Sequence, residues 1–188
     1  MLRYHNIPNL ISLLRMLLVL PLAAMLLQQR YMVALLIFGL AGITDALDGF
    51  LAKRNGWKSR LGSILDPLAD KLLLTTSYLV LAWLGLLPVW LVAAIVARDF
   101  VIVLGATAYH YTIRHFDLLP SRLSKLNTVT QIVLVLAVML HHSVLPDIGV
   151  AVEALVYIVL ITTFASGVHY AWTWGTRALQ ASTEETRG

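Results

Sequence analysis

The sequence predicts an all-α integral membrane protein of six transmembrane helices with both termini in the cytoplasm. Three observations carry that expectation. Of 188 residues, 59% are hydrophobic and only 13% charged, with a mean hydropathy of +0.80, whereas a soluble domain is about 45–50% apolar. Apolar stretches run over 7–27, 31–53, 63–86, 88–111, 122–141 and 147–174, each long enough to cross ~30 Å of hydrocarbon. Positive charge is lopsided, with ten of the fourteen Lys and Arg residues falling in the two termini and the 53–60 and 114–125 loops. Disordered and ordinary cytosolic classes are excluded by this composition. Disulfides, iron–sulfur clusters and thiolate nucleophiles are excluded because there is no cysteine.

Each stretch is bounded by turn or charge signals. The first holds Asn9 and Arg15 and lacks a small-x-small cleavage site, so it reads as a span and not as a cleaved signal peptide. Gln28-Gln29-Arg30 separates it from the second, and a basic loop from Arg54 to Arg60 leads to the third. Leu87-Pro88 opens the fourth, the segment from Arg114 to Pro120 precedes the fifth, and His141 to Pro146 precedes the sixth. In lipid each span must satisfy its own backbone groups, so helices are expected throughout. A single transmembrane domain over 1–180 followed by a frayed polar tail over 181–188 is the expected organisation. Arg3, Lys53, Arg54, Lys58, Arg60, Arg114, Arg122, Lys125, Arg177 and Arg187 place the termini and the two basic loops on the cytoplasmic side. For Lys58, Arg60 and Arg114 two readings stand, topology determinants beside anionic lipid or functional cations.

Ionisable groups inside a membrane are costly and mark function by default. Span two ends Thr44-Asp45-Ala46-Leu47-Asp48-Gly49-Phe50-Leu51-Ala52-Lys53, and span three opens Gly62-Ser63-Ile64-Leu65-Asp66-Pro67-Leu68-Ala69-Asp70-Lys71. Helical spacing puts Asp45, Asp48, Gly49 and Ala52 on one face, and Gly62, Asp66 and Asp70 on another. The short loop brings both faces to the cytoplasmic end. Four carboxylates there repel unless a cation sits among them, and Lys71 is the nearby one expected to compete. An all-oxygen donor set favours Mg²⁺, Mn²⁺ or Ca²⁺ over zinc. Four Asp suffice for two metals, an arrangement suited to phosphoryl displacement. Gly49, Ala52 and Gly62 admit two readings, approach of a flat base or diphosphate to the backbone, or close helix packing.

The whole string, D-x-x-D-G-x-x-A-[R/K], eight residues, then G-x-x-x-D-x-x-x-D, resembles the signature of the CDP-alcohol phosphotransferase family. The resemblance extends over nearly the whole chain and includes Asn6-Ile7-Pro8-Asn9 with Arg15 beyond it. The departure is Lys53, where the family usually has Arg, which trades a bidentate phosphate grip for a point charge. The resemblance implies a homodimer with a cytosol-facing polar cavity, in a bacterial or organellar inner membrane. It implies that Asp45, Asp48, Asp66 and Asp70 hold two divalent metal ions, Mg²⁺ or Mn²⁺, and that Asp70 is also the general base. It implies a CDP site lined by Asn9, Gly49, Ala52, Lys53 and Gly62. The expected reaction moves a phosphatidyl group from CDP-diacylglycerol to a glycerol-type hydroxyl and releases CMP; no nucleic acid is expected as a partner.

Arg98-Asp99 in span four and Arg122 and Lys125 in span five are the candidate acceptor-binding groups. Mutual neutralisation of Arg98 and Asp99 and interfacial snorkelling of the other two are the competing readings. Relatives that use glycerol 3-phosphate often read Gly-Lys-x-Lys-Thr where this chain reads Ser124-Lys125-Leu126-Asn127-Thr128. That looks like the cardiolipin synthases of the family, so phosphatidylglycerol is the expected acceptor and glycerol 3-phosphate the runner-up. A lysine in place of Asn127 is expected to favour the runner-up. His110, His115, His141, His142 and His169 show no metal-ligand spacing, and Trp83, Trp90, Trp172 and Trp174 read as interface anchors. A divalent-cation transporter is the rival of another class; it would spread its acids through the bilayer depth, whereas these gather at one face.

Overall fold

The computed structural model describes residues 7–55, 62–112 and 122–185, with side chains described for 11–45, 47, 65–105, 122–170, 172 and 173. Its helices are α1 (Ile7–Leu27), α2 (Tyr31–Asn55), α3 (Gly62–Trp83), α4 (Val89–Thr112), α5 (Arg122–His141) and α6 (Gly149–Glu185), with a short 3₁₀ turn over Pro146–Ile148. No strand occurs among the described residues. The helices follow the expected stretches, with one extension. At 37 residues α6 continues past residue 180 to Glu185, through a segment with no Gly or Pro from 176 to 187 and several good helix formers. Among the described residues, Arg122–His141 and Pro146–Tyr170 are long and apolar enough to cross a membrane, and Ile11–Leu27 and Tyr31–Asp45 are shorter apolar helices.

The chain forms two compact units. The first comprises Met1–Leu87 and Val135–Val152, the second Pro88–Leu134 and Glu153–Gly188. In the first, α1 packs against both α2 and α3. Its core is built from stripes at helical spacing: Leu22 and Leu26 on α1; Ala34, Phe38 and Ala41 on α2; Ala69, Leu73, Ser77 and Leu81 on α3. The two alanines on α2 let its backbone approach its neighbours closely. α1 closes through a left-handed residue, Gln29 at φ 58°, with Gln29 N–H donating to Leu26 O and Arg30 N–H to Met25 O. Gly85, at φ 73°, closes α3 with the same pair of bonds to Ala82 O and Leu81 O. These caps satisfy carbonyls that a helix end otherwise orphans, and allow immediate reversal. α1 and α2 therefore run antiparallel, which brings the start of α1 to the end of α2.

Most outward side chains of both units are large and apolar, for example Leu20, Leu36, Phe100, Leu104, Ile161 and Phe164. Such a surface suits lipid rather than water. Trp83, Trp90 and Trp172 also point outward, in keeping with an anchoring role at the two interfaces.

Candidate functional site

The three core stripes of the first unit end in polar groups at the same end. On α1 the buried stripe continues from Leu22 back to Arg15 and Ser12. On α2, Asp45 is the next position after Ala34, Phe38 and Ala41, and on α3 Asp66 and Asp70 flank the buried Ala69. Pro67, between those two acids, removes a helical N–H from this turn. Helix periodicity thus delivers one guanidinium, one hydroxyl and three described carboxylates to a common end of the bundle.

Arg15 stands among the acids. Its Nη1 lies 2.7 Å from Asp45 Oδ1 and 2.5 Å from Asp70 Oδ1. Ser12 donates its hydroxyl to Asp66 Oδ1. The α1 helix therefore contacts all three carboxylates. Arg15 is 1% exposed, while Asp45 and Asp70 are 44% and 45% exposed, so the acids stay accessible and the cation does not. Arg15 Nε and Nη2 are buried without a hydrogen-bond partner.

This arrangement adds a cation to the expected set. Lys71 lies exposed on α3, and Arg15 provides a further cation between Asp45 and Asp70. Spacing within the motif could not reveal it, because the residue belongs to a different helix. A signal was present nonetheless: Arg15 is the sole Asp, Glu, Lys or Arg within the first apolar stretch, with Ser12 three residues earlier on the same face.

Among the described residues, no group of three His, Cys, Asp or Glu side chains is arranged to hold a metal ion. The donor chemistry nevertheless suits a hard cation. Two carboxylate oxygens from separate helices converge on one positively charged atom, and a third carboxylate lies on the adjacent turn of α3. Asn9, Asp48, Gly49, Ala52, Lys53 and Gly62 fall on α1, α2 and α3, and the roles expected of their side chains lie outside the described residues.

The second unit has its own polar cluster. Arg98 on α4 donates from Nη1 to Asp99 Oδ1 at 3.0 Å, and from Nη2 to Ser124 Oγ at 2.7 Å on α5 and Ser166 Oγ at 2.5 Å on α6. Its guanidinium carbon also sits 5.9 Å from the centre of the Tyr170 ring, within cation–π range. One turn further along α5, Asn127 is fully buried, and its Oδ1 lies 3.0 Å from the hydroxyls of both Thr162 and Thr163. Asn127 Nδ2 and Gln131 Nε2 are buried donors without partners. Arg122 and Lys125 are exposed on α5. Neutralisation of Arg98 by Asp99 is thus realised, and the two serines and the threonine pair are contributions that sequence reading did not single out.

Comparison with known proteins places these features in a family. The family model described as CDP-alcohol phosphatidyltransferase matches residues 5–168. The chain is 39% identical over 155 residues to a cardiolipin synthase (CMP-forming) of Rattus norvegicus, covering 71% of this chain and 51% of the relative. It is 34% identical over 190 residues to the chloroplastic CDP-diacylglycerol–glycerol-3-phosphate 3-phosphatidyltransferase 1 of Oryza sativa, covering 89% and 56%. It is 32% identical over 179 residues to a probable phosphatidylglycerophosphate synthase of Mycobacterium tuberculosis, covering 89% and 81%. The chain spans about half the length of the cardiolipin synthases it matches in rat and human.

Proposed function

The chain belongs to the CDP-alcohol phosphatidyltransferase family, and on that footing we propose that it serves phospholipid biosynthesis by moving a phosphatidyl group from CDP-diacylglycerol to a glycerol-type hydroxyl, with release of CMP. The observation that carries this reading is the convergence of Asp45 and Asp70 on one cationic atom, with Asp66 beside them. Asp45, Asp48, Asp66 and Asp70 are the residues that would hold two divalent metal ions, Mg²⁺ or Mn²⁺. When bound, such ions supply neutralisation of the diphosphate and of the CMP leaving group.

The chain's own groups do the rest. Asp70, half-exposed on α3, takes the proton of the acceptor hydroxyl. The acceptor oxygen then forms a bond to the lipid-side phosphorus while the bond from that phosphorus to the CMP oxygen breaks. Asn9, Gly49, Ala52, Lys53 and Gly62 line the CDP site, with small residues admitting the nucleotide against the helices. Because phosphoryl transfer leaves little covalent chemistry to the protein, positioning and charge stabilisation provide most of the acceleration.

In this reading the domain spans residues 1–180 and crosses the membrane six times, with both termini and the carboxylate centre at the cytoplasmic side of a bacterial or organellar inner membrane, as a homodimer. Arg98, Arg122 and Lys125 receive the acceptor, Arg98 from a fixed position and the other two as exposed cations on α5. Phosphatidylglycerol is the preferred acceptor, giving cardiolipin. Support comes from the similarity to cardiolipin synthases in rat and human. Glycerol 3-phosphate is the second reading, supported by the rice and mycobacterial relatives. Product analysis decides between them: full-length protein in mixed micelles with Mn²⁺, CDP-diacylglycerol and both acceptors at equal concentration should yield mainly cardiolipin. Phosphatidylglycerophosphate as the dominant product would reverse the order.

A further inference from the structure

Arg15 poses a problem that the proposed reaction does not solve. A guanidinium on a membrane helix normally reaches toward water or lipid head groups, yet this one is 1% exposed and faces the core. Its Nη1 is committed to Asp45 and Asp70, while Nε and Nη2 are buried with no partner. Unpaired buried donors are costly. Hydrogen-bond satisfaction alone therefore does not account for where Arg15 sits. Charge does: Asp45, Asp66 and Asp70 come together at one end of the unit, and removing the cation would leave like charges facing one another.

We propose that Arg15 is a resident counter-ion of the carboxylate centre, neutralising Asp45 and Asp70 in the metal-free protein and giving way when a divalent metal binds. The proposal rests on the reading that these carboxylates hold such a metal. It makes Arg15 a positioning residue with two opposed effects: it supports the fold of the metal-free protein, and it weakens metal binding because it must be displaced. Ser12, bonded to Asp66 from the same helix, keeps α1 attached to the centre whether or not Arg15 is engaged.

The test uses the full chain in detergent micelles, with Mn²⁺ affinity measured by isothermal titration and thermal melting followed in EDTA and in saturating Mn²⁺. Arg15→Gln should bind Mn²⁺ about tenfold more tightly than wild type, since a competing unit charge beside the carboxylates is gone. The same variant should melt earlier than wild type in EDTA and level with it in Mn²⁺. Arg15→Lys keeps the charge and should stay within about threefold of wild-type affinity, its single ammonium replacing one Nη1 contact. Recovery of folded Arg15→Gln only when Mn²⁺ is present would also support the proposal. Unchanged or weaker Mn²⁺ binding by Arg15→Gln, an equal loss of melting temperature in both media, or protein unfolded in both, would overturn it. Asp66→Asn separates the two levels. If wild type binds Mn²⁺, Asp66→Asn does not, and Arg15→Gln matches wild type, only the role of Arg15 fails. If wild type binds no Mn²⁺, or binds it as Asp66→Asn does, the metal reading itself fails.

Discussion

Both units bury an arginine among polar partners in otherwise apolar helices, and the two arginines are held in opposite ways. In the second unit, Arg98 meets a carboxylate from the next residue and hydroxyls from two other helices, one cation balanced locally by one anion. In the first, Arg15 meets two carboxylates from separate helices, with a third adjacent, and those carboxylates remain half-exposed. A balanced, enclosed pair ties helices together. An acid-rich, half-open cluster retains capacity for a further cation. Intramembrane charge is a general mark of function, and on the proposed reading the balance of charge and the access to it are what distinguish a centre for chemistry from a cluster that holds helices together.

That contrast predicts that changes to the carboxylates of the first cluster are read in turnover, and changes to the buried polar groups of the second in stability. Asp66→Asn should lower kcat/KM for CMP release by on the order of 10³-fold, the scale of losing a principal charge-stabilising group, while thermal melting in EDTA shifts little. Asp70→Asn should lower kcat by ~10²-fold, the usual scale for a lost general base, with CDP-diacylglycerol binding retained in equilibrium dialysis. Loss of nucleotide affinity at unchanged kcat would recast Asp70 as a metal ligand alone. Asn127→Lys should behave differently from what sequence comparison implies. The side chain is 0% exposed and bonded across to α6, so a lysine there buries an unpaired charge. The expected cost is about 3–5 kcal/mol of stability, seen as a collapse of the melting transition and not as a change of acceptor. Acceptor choice is better probed at the exposed Lys125, where Lys125→Ala should raise the acceptor KM with stability within about 0.5 kcal/mol of wild type.

The smallest effect is expected away from both clusters. His142, in the turn between α5 and the 3₁₀ segment, packs against the rings of His141 and Tyr31. Burial, then the neighbouring His141, holds its imidazole below the usual 6.5. The unfolded chain therefore takes up a proton first, so stability is full above about pH 6.5 and declines as pH falls toward the lowered folded value. Melting temperatures across that range should show a shallow slope in wild type and a flatter one in His142→Gln. An unchanged slope in the variant would assign the dependence elsewhere.

Much of this was legible in the residues. The apolar stretches anticipated all six helices because hydropathy is a local property, and Asp45, Asp66 and Asp70 were identified by spacing along two adjacent helices. Arg15 was visible as a lone charge but not as a partner of the acids, since which helix packs on which is set by tertiary contacts that periodicity does not encode. Asn127 shows the same limit. Its identity hinted at substrate preference, whereas its bonds to Thr162 and Thr163 reveal an amide that fastens α5 to α6. The extra length of α6 is not legible in hydropathy, because the segment's polarity signals fraying although it holds no Gly or Pro from 176 to 187 to break the helix.

The central claim is that the half-open carboxylate cluster is a divalent-cation centre for phosphatidyl transfer. Its most direct test is CMP release from CDP-diacylglycerol by purified full-length protein with phosphatidylglycerol present, titrated with Mn²⁺ after EDTA treatment. Release that is absent in EDTA, rises saturably with Mn²⁺ and is lost in Asp66→Asn is the predicted result. No CMP release at any Mn²⁺ concentration with either phosphatidylglycerol or glycerol 3-phosphate would contradict the account.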